Sequence, residues 1–479
     1  MIEGYVFKNS LYYMFASTLP VVSGFILLPI YSFYLSPEEY AVYTLSYSFM
    51  TLLVVILSLQ LHGSIGRFYF EFEGDSLRSY LSSLVVLLVI VSIVGGALAD
   101  FMLDDIMSWV YPNIDFLYYE VFRLSIVIAV FQVFMQSQMA LLRVREQARS
   151  FMKISLVVAL LGASMSVVQL VMLENSVIGL QWAILIQSVA GTVAFSFANR
   201  RFFTVKVSFD LMREPLRYSV PLIPHALFGF VFMYADKILL EKYVPLHVLG
   251  VYAFSDKIAS SFKLLVNQFN AAYSPVFNKA AKDSKARAGQ MSRFIANKVV
   301  VIFVLALTLL ALNIYELIYY LFDEKYLGSW KFVAWLAWAY LFRTLYCFSS
   351  LGIFYDKKTM IIAKISMLAG ILSLLLNFAL IPEYGIAAAV FAFVASFLAS
   401  HLFALLWSKG GFFIPLDYRL IFSCVCLSAG LIGGGYVLNT TLYAASHHPN
   451  GSIIFAKIIV SALLVGLVSW WLSNRLPKV

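Results

Sequence analysis

The feature that leaves this chain least choice of fold is the recurrence, from end to end, of apolar runs near twenty residues long. A helix of about 20 apolar residues crosses the roughly 30 Å hydrocarbon core of a bilayer, where every backbone polar group must be satisfied internally. Runs of this kind fall at about 10–35, 40–62, 79–99, 118–142, 151–173, 177–198, 216–241, 249–274, 297–320, 332–353, 361–381, 385–407, 420–438 and 453–472. They predict fourteen spans, or twelve if two weak segments are misread. A balance of 62% hydrophobic to 12% charged residues excludes a soluble domain. The fold class expected is all-α, a polytopic membrane protein. Met1-Ile2-Glu3-Gly4-Tyr5 has no basic leader region, so the first span reads as a retained anchor.

The net charge of +9 is a topology signal before it is a sign of nucleic acid. Twenty-five Lys and Arg residues fall in loops and helix ends on the side of the N-terminus, against Lys242, Lys325 and Lys331 on the other. By the positive-inside rule both termini are cytoplasmic. Clusters such as Arg143, Arg145 and Arg149, or Lys279, Lys282, Lys285 and Arg287, follow that rule, with binding of anionic headgroups a second reading. Cys347, Cys424 and Cys426 fall inside spans and form no disulfide framework or metal site, so neither metal nor other cofactor is expected. Loops are short, and there is no Walker-type glycine loop, so this chain does not itself use ATP.

Four sequence echoes share an order and an offset of about 204–211 residues. Leu19-Pro20 with Gly24-Phe25 returns as Ile223-Pro224 with Gly229-Phe230, and Ala41-Val42-Tyr43 returns as Gly250-Val251-Tyr252. Lys153-Ile154-Ser155 returns as Lys364-Ile365-Ser366, and the hinge Glu174 to Gly179 is echoed by Glu383 to Gly385. They predict a duplicated six-helix unit, 1–205 and 206–410, with two additional helices in 411–479. Because six is even, both copies enter the membrane in the same sense, an arrangement that places transported ligands between the halves. Pro20 and Pro29 in the first span, and Pro221 and Pro224 in the seventh, are expected to interrupt their helices.

The eighth span carries Asp256, Ser260, Lys263, Asn267, Asn270 and Ser274, spaced by threes and fours and therefore on one helix face. A charge at the bilayer centre costs roughly 2.5–3.5 kcal/mol, so this stripe must face water or protein. Lys263 and, in the tenth span, Arg343 lie near mid-depth with no acidic residue expected beside them. A phosphate or pyrophosphate would satisfy both, Arg offering a planar fork and Lys a point charge; solvation in a wet cleft is the bland alternative. Asp236-Lys237 and Asp256-Lys257 flank the hairpin between spans seven and eight. They read as interhelical ion pairs or, more sharply, as a proton or cation coupling site. His225 and His401 are candidates for proton transfer or plain packing. Gln132 and Gln136 either donate to sugar hydroxyls or bridge helices.

Tyr218-Ser219-Val220-Pro221-Leu222-Ile223-Pro224, Ala235-Asp236-Lys237-Ile238-Leu239-Leu240 and Leu249-Gly250-Val251-Tyr252 together resemble the polysaccharide-biosynthesis flippases of the Wzx type. So do Asn377-Phe378-Ala379-Leu380-Ile381-Pro382-Glu383-Tyr384-Gly385 and the first hinge, Ser36-Pro37-Glu38-Glu39-Tyr40, although a glycine is more usual where Ala41 stands. The resemblance covers roughly residues 1–410. It implies membership of the multidrug/oligosaccharidyl-lipid/polysaccharide exporter superfamily, with two six-helix bundles about a central cavity. It further implies alternating-access export of a polyprenyl-diphosphate-linked oligosaccharide across a bacterial inner membrane. Lys263 and Arg343 would then receive the diphosphate beside Ser260, Asn267, Asn270, Gln132 and Gln136. Asp236, Lys237, Asp256, Lys257 and His225 would form coupling or ion-pair positions for a proton or sodium gradient, and polysaccharide polymerases would be partners. Two rivals stay open: a cation-coupled drug antiporter, and a glycan polymerase or glycosyltransferase whose one candidate acidic pair is Asp104-Asp105.

Overall fold

The structure, a computed structural model, describes residues 2–408, 412–443, 457, 459–463 and 466. Those residues are helical wherever they are regular, with no strand among them. Eleven helical stretches among them are long and apolar enough to cross a membrane, which makes this a multi-pass membrane protein. Most of the last predicted span, 453–472, lies outside the described residues.

The chain forms two compact units, Met1–Gly250 and Val251–Val479. In the first, the opening span is divided at Leu27 into α1 (Ile2–Ile26) and α2 (Leu28–Tyr34), with Pro20 inside α1 and Pro29 in the first turn of α2. Next come α3 (Pro37–Leu57), α4 (Leu61–Phe68), α5 (Gly74–Phe101) and α6 (Leu103–Val110). The start of α3 is fixed locally. Ser36 accepts from the Glu39 amide at 3.2 Å while the Glu39 carboxylate takes the Ser36 amide at 2.7 Å, a capping box with Pro37 at its first helical position. Helices α7 (Tyr119–Val144), α8 (Ala148–Val167) and α9 (Ser176–Asn199) then pack on α1, α3 and α5. A seventh span follows, broken as its prolines require into α10 (Arg213–Ser219), a 3-10 turn at Val220–Leu222, and α11 (Ile223–Tyr243).

The unit closes at the first residues of α12 (Leu246–Asp283), where backbone meets backbone. A Cβ on Gly250 would stand 1.7 Å from the Pro37 carbonyl oxygen, so only glycine permits the approach. Ala41, the position that the sequence echo pairs with Gly250, is itself fully buried.

The second unit holds the rest of α12, then α13 (Lys285–Leu321), α14 (Trp330–Tyr355), α15 (Thr359–Tyr384), α16 (Ile386–Ser408) and α17 (Tyr418–Tyr443). The segment 275–296, which falls between the spans read at 249–274 and 297–320, is helical but for Ser284. Helix α12 continues through Pro275 to Asp283, and the Ser284 hydroxyl accepts from the Arg287 amide to cap α13. Beyond the apolar part of the helix, water can take the backbone groups that a proline leaves unpaired. The ion pair Arg293–Asp417 at 3.2 Å ties the start of α17 to α13, and Lys285–Asp356 at 2.9 Å ties the start of α13 to the end of α14. The hydrogen bond from Lys285 holds the Asp356 carboxyl below its usual range. It outweighs the opposing effect of burial and is aided by the Phe412 amide at 2.7 Å.

The internal echo has a geometric counterpart. Helix α7 ends with Glu146 left-handed at φ 55° and α14 with Lys357 at φ 59°, 211 residues later. The two caps make the same hydrogen bonds: Arg145 N to Leu141 O and Gln147 N to Leu142 O in one, Asp356 N to Gly352 O and Lys358 N to Ile353 O in the other. The next reversals, at Glu174 (φ 51°) and Gly385 (φ 54°), are again 211 apart.

Candidate functional site

Helix α12 presents its polar stripe where side chains remain reachable. None of Asp256, Ser260, Lys263, Asn267, Asn270 and Ser274 is fully buried, whereas Tyr252, Ala259, Phe262, Val266, Tyr273 and Phe277 on its other faces are. Those apolar residues hold the helix: Phe262 packs on Phe303 of α13 at 5.0 Å and Tyr273 on Phe348 of α14 at 5.7 Å. Amphipathic packing of this kind fixes the helix rotation and so aims the stripe.

Arg343 projects from α14 onto that stripe. Its guanidinium donates to Asn267 Oδ1 at 3.1 Å and lies 5.7 Å from the Phe397 ring centre of α16. Its Nε is buried and has no acceptor, and no carboxylate lies within ion-pair reach of it among the described residues. A half-buried guanidinium whose one recorded acceptor is a neutral amide retains both its charge and free donors. The second unit therefore brings together Arg343 and Asn267, with Lys263 one turn away on the α12 stripe. Ser260 donates to the Lys257 carbonyl at 2.6 Å, and Asn270 Oδ1 accepts from Ser274 at 3.4 Å.

The other expected positions divide. Gln132 Nε2 donates to Ser188 on α9 at 2.9 Å, so this side chain bridges helices; Gln136, half-buried, makes no such bond among the described residues. Asp236 and Lys237 are both buried and pair with each other at 3.1 Å, sequence neighbours on α11. Asp256 and Lys257 lie half-buried on α12, and His225 is exposed near the start of α11. His401 Nδ1 lies 3.1 Å from the Ser349 hydroxyl, a buried packing contact between α16 and α14. Asp104 and Asp105 sit exposed on α6. No group of three residues suited to hold a metal ion occurs among the described residues.

One polar cluster escaped sequence reasoning. Glu316, buried on α13, accepts from both Tyr443 at the end of α17 and Lys457, and Lys457 also donates to Asn439 at 2.6 Å. The Tyr443 ring stacks on Tyr315 at 3.9 Å. The separation of 141 residues between Glu316 and Lys457 leaves no spacing signal; their shared isolation in apolar sequence was the one clue.

With this geometry established, comparison with known proteins adds three findings. The profile of the family described as "Polysaccharide biosynthesis protein" matches residues 6–281. A relative from Haemophilus influenzae, Lsg locus putative protein 1, is 23% identical over 295 residues, which are 60% of this chain and 70% of that protein. Among solved structures, the lipid II flippase MurJ in an inward closed conformation superposes with a TM-score of 0.73 at 11% identity, covering 98% of this chain and 100% of the other. An inward-facing multidrug resistance MATE family transporter of the MOP superfamily gives 0.63 at 15%, covering 84% and 94%. A MOP superfamily transporter from Pyrococcus furiosus gives 0.59 at 14%, covering 85% and 95%. At these identities the likeness to the solved structures is one of fold.

Proposed function

The chain belongs to the polysaccharide biosynthesis protein family, and from that premise we propose that it moves a polyprenyl-diphosphate-linked oligosaccharide across a bacterial inner membrane. The cargo would be a repeat unit of O-antigen, capsule or exopolysaccharide. The observation that carries the reading is Arg343, a cation held in an apolar helix bundle against a neutral amide rather than a carboxylate. A diphosphate supplies what that group lacks: negative charge and acceptors for its remaining donors. Likeness of fold to a lipid II flippase points the same way.

In this mechanism Arg343 and Lys263 receive the diphosphate, while Asn267, Asn270 and Ser260 hydrogen-bond to it or to the first sugars. Gln136 offers an amide to glycan hydroxyls, and Gln132 keeps α7 against α9 so that Gln136 is positioned. The halves 1–205 and 206–410 exchange between inward- and outward-open states without covalent chemistry, 411–479 forming helices outside that pair. Asp236, Lys237, Asp256, Lys257 and His225 are assigned to coupling or to ion pairing, both termini to the cytoplasm, and polysaccharide polymerases to the role of partners. A cation-coupled drug antiporter, a reading prompted by the fold likeness to a multidrug resistance MATE family transporter, fits less well because Arg343 would repel a cationic substrate.

The test is leaflet transfer of a labelled lipid-linked oligosaccharide in vesicles carrying the purified chain. Transfer by the parent, lost in Arg343→Glu and Lys263→Glu variants that remain folded, supports the reading. Lengthening of the glycan would assign a polymerase, and unchanged transfer in both variants would remove these residues from the site.

A further inference from the structure

The faces of α14, α16 and α17 line an open trough of about 450 Å³ in the second unit. That is within the roughly 300–1,000 Å³ of ligand sites. Helix α14 contributes Lys331, Trp335 and Trp338, α16 contributes Ala387 and Phe391, and α17 contributes Tyr436. The α14 residues are spaced by four and three, and the α16 pair by four, so each helix gives one face, over about 10 Å on α14 and about 6 Å on α16. The wall is set in advance. Trp338 donates its indole N–H to Ser428 of α17 at 2.9 Å, and the Trp335 and Trp338 rings meet edge to face at 5.9 Å.

Two properties define what fits. The walls are apolar and two of the three helices, α16 and α17, are long and apolar enough to cross a membrane, so water there would forgo hydrogen bonds and a void would forfeit dispersion contacts; hydrocarbon does neither. Among the lining residues Lys331 alone is charged. It is exposed, stands in the first turn of α14 beside the hinge Glu324–Ser329, and has no ion pair or hydrogen bond among the described residues. A chain-binding trough with one exposed ammonium at its mouth matches an amphiphile with an anionic head.

We infer that this trough is a binding site for an anionic glycerophospholipid, with one acyl chain against Trp335, Trp338 and Phe391 and its phosphate on Lys331. The site is separate from the Arg343–Asn267 pair, and the inference holds whatever cargo the protein carries. Native mass spectrometry of the full chain, from micelles supplemented with phosphatidylglycerol or with phosphatidylcholine, tests it. The expected result is one retained phosphatidylglycerol held in preference to phosphatidylcholine. Lys331→Gln should weaken that retention about fivefold and Lys331→Arg should keep it. Ala387→Phe, which fills the trough from an exposed position, should abolish retention of either lipid. Equal retention of the two lipids, or parental retention by both Lys331→Gln and Ala387→Phe, would overturn the inference. So would displacement of phosphatidylglycerol by an equal concentration of polyprenyl phosphate, which would reassign the trough to the cargo's tail. If Ala387→Phe fails to fold, the Lys331→Gln and Lys331→Arg pair, at a solvated position, still decides between these outcomes.

Discussion

The Arg343 guanidinium gives a hydrogen bond to Asn267 Oδ1 across 3.1 Å, and the two residues come from helices 76 positions apart in the chain. Asn267 thereby aims the planar fork along the α12 stripe while leaving its charge intact. Replacing Arg343 by Lys keeps the charge and loses the fork, and a charge-assisted hydrogen bond is worth roughly 1.5–3 kcal/mol. Transport by Arg343→Lys should fall about tenfold to a hundredfold, and Asn267→Ala should fall less. Initial rates of leaflet transfer, normalised to folded protein, check the ranking; equal losses would mean that Asn267 does more than orient.

The Glu316–Lys457 pair with Tyr443 is a buried ionic contact, so the loss of one partner should cost far more than the loss of both. Lys457→Met alone leaves a carboxylate stranded among aromatic rings and should destabilise by about 3–5 kcal/mol. Glu316→Gln combined with Lys457→Met should recover most of that. Thermal unfolding in detergent, compared across the two singles and the double, reads the coupling directly.

Where α12 crosses the start of α3, an added methyl has no room. Gly250→Ala must push against the Pro37 carbonyl, and overpacking of this kind typically costs about 1–3 kcal/mol. Gly433→Ala on α17, with nothing within 4 Å of the new Cβ, should be neutral or slightly stabilising. A melting temperature lowered only by the first substitution is the expected result.

Acid should dissolve the anchor at Asp356. Its carboxyl is held below the ordinary value of 3.8 in the folded protein, so its contribution is present above that value and is lost as pH falls through the lower folded one. Asp356→Asn should therefore reduce stability at pH 7, and the gap between variant and parent should close as pH drops below about 4. Paired melts across that window check the sign.

Periodicity made the α12 stripe legible in the sequence, and the prolines foretold the breaks at Pro29 and Pro221, whereas α1 runs unbroken through Pro20. Periodicity could not say which helix meets that stripe, because Asn267 and Arg343 carry no mutual spacing signal. The same gap hid Ser188 as the partner of Gln132 and joined Glu316 to a lysine far along the chain. Helix ends were misjudged for a different reason. Hydropathy measures lipid thickness and falls silent where a helix leaves the membrane, as α12 does beyond Ser274. The trough on α14 and α16 was invisible for a third reason: its lining looks like ordinary lipid-facing sequence until three helices are set side by side.

The left-handed caps at Glu146 and Lys357, and the positive-φ reversals at Glu174 and Gly385, keep one spacing of 211 residues. The sequence echo sets Glu174 against Glu383, an offset of 209, whereas the backbone sets Glu174 against Gly385, so the echo is two residues out of register there. The stretch between cap and reversal behaves as a strut of set length. Lengthening that strut by one residue would rotate the helix after it by about 100°, turning its buried face away from its neighbours.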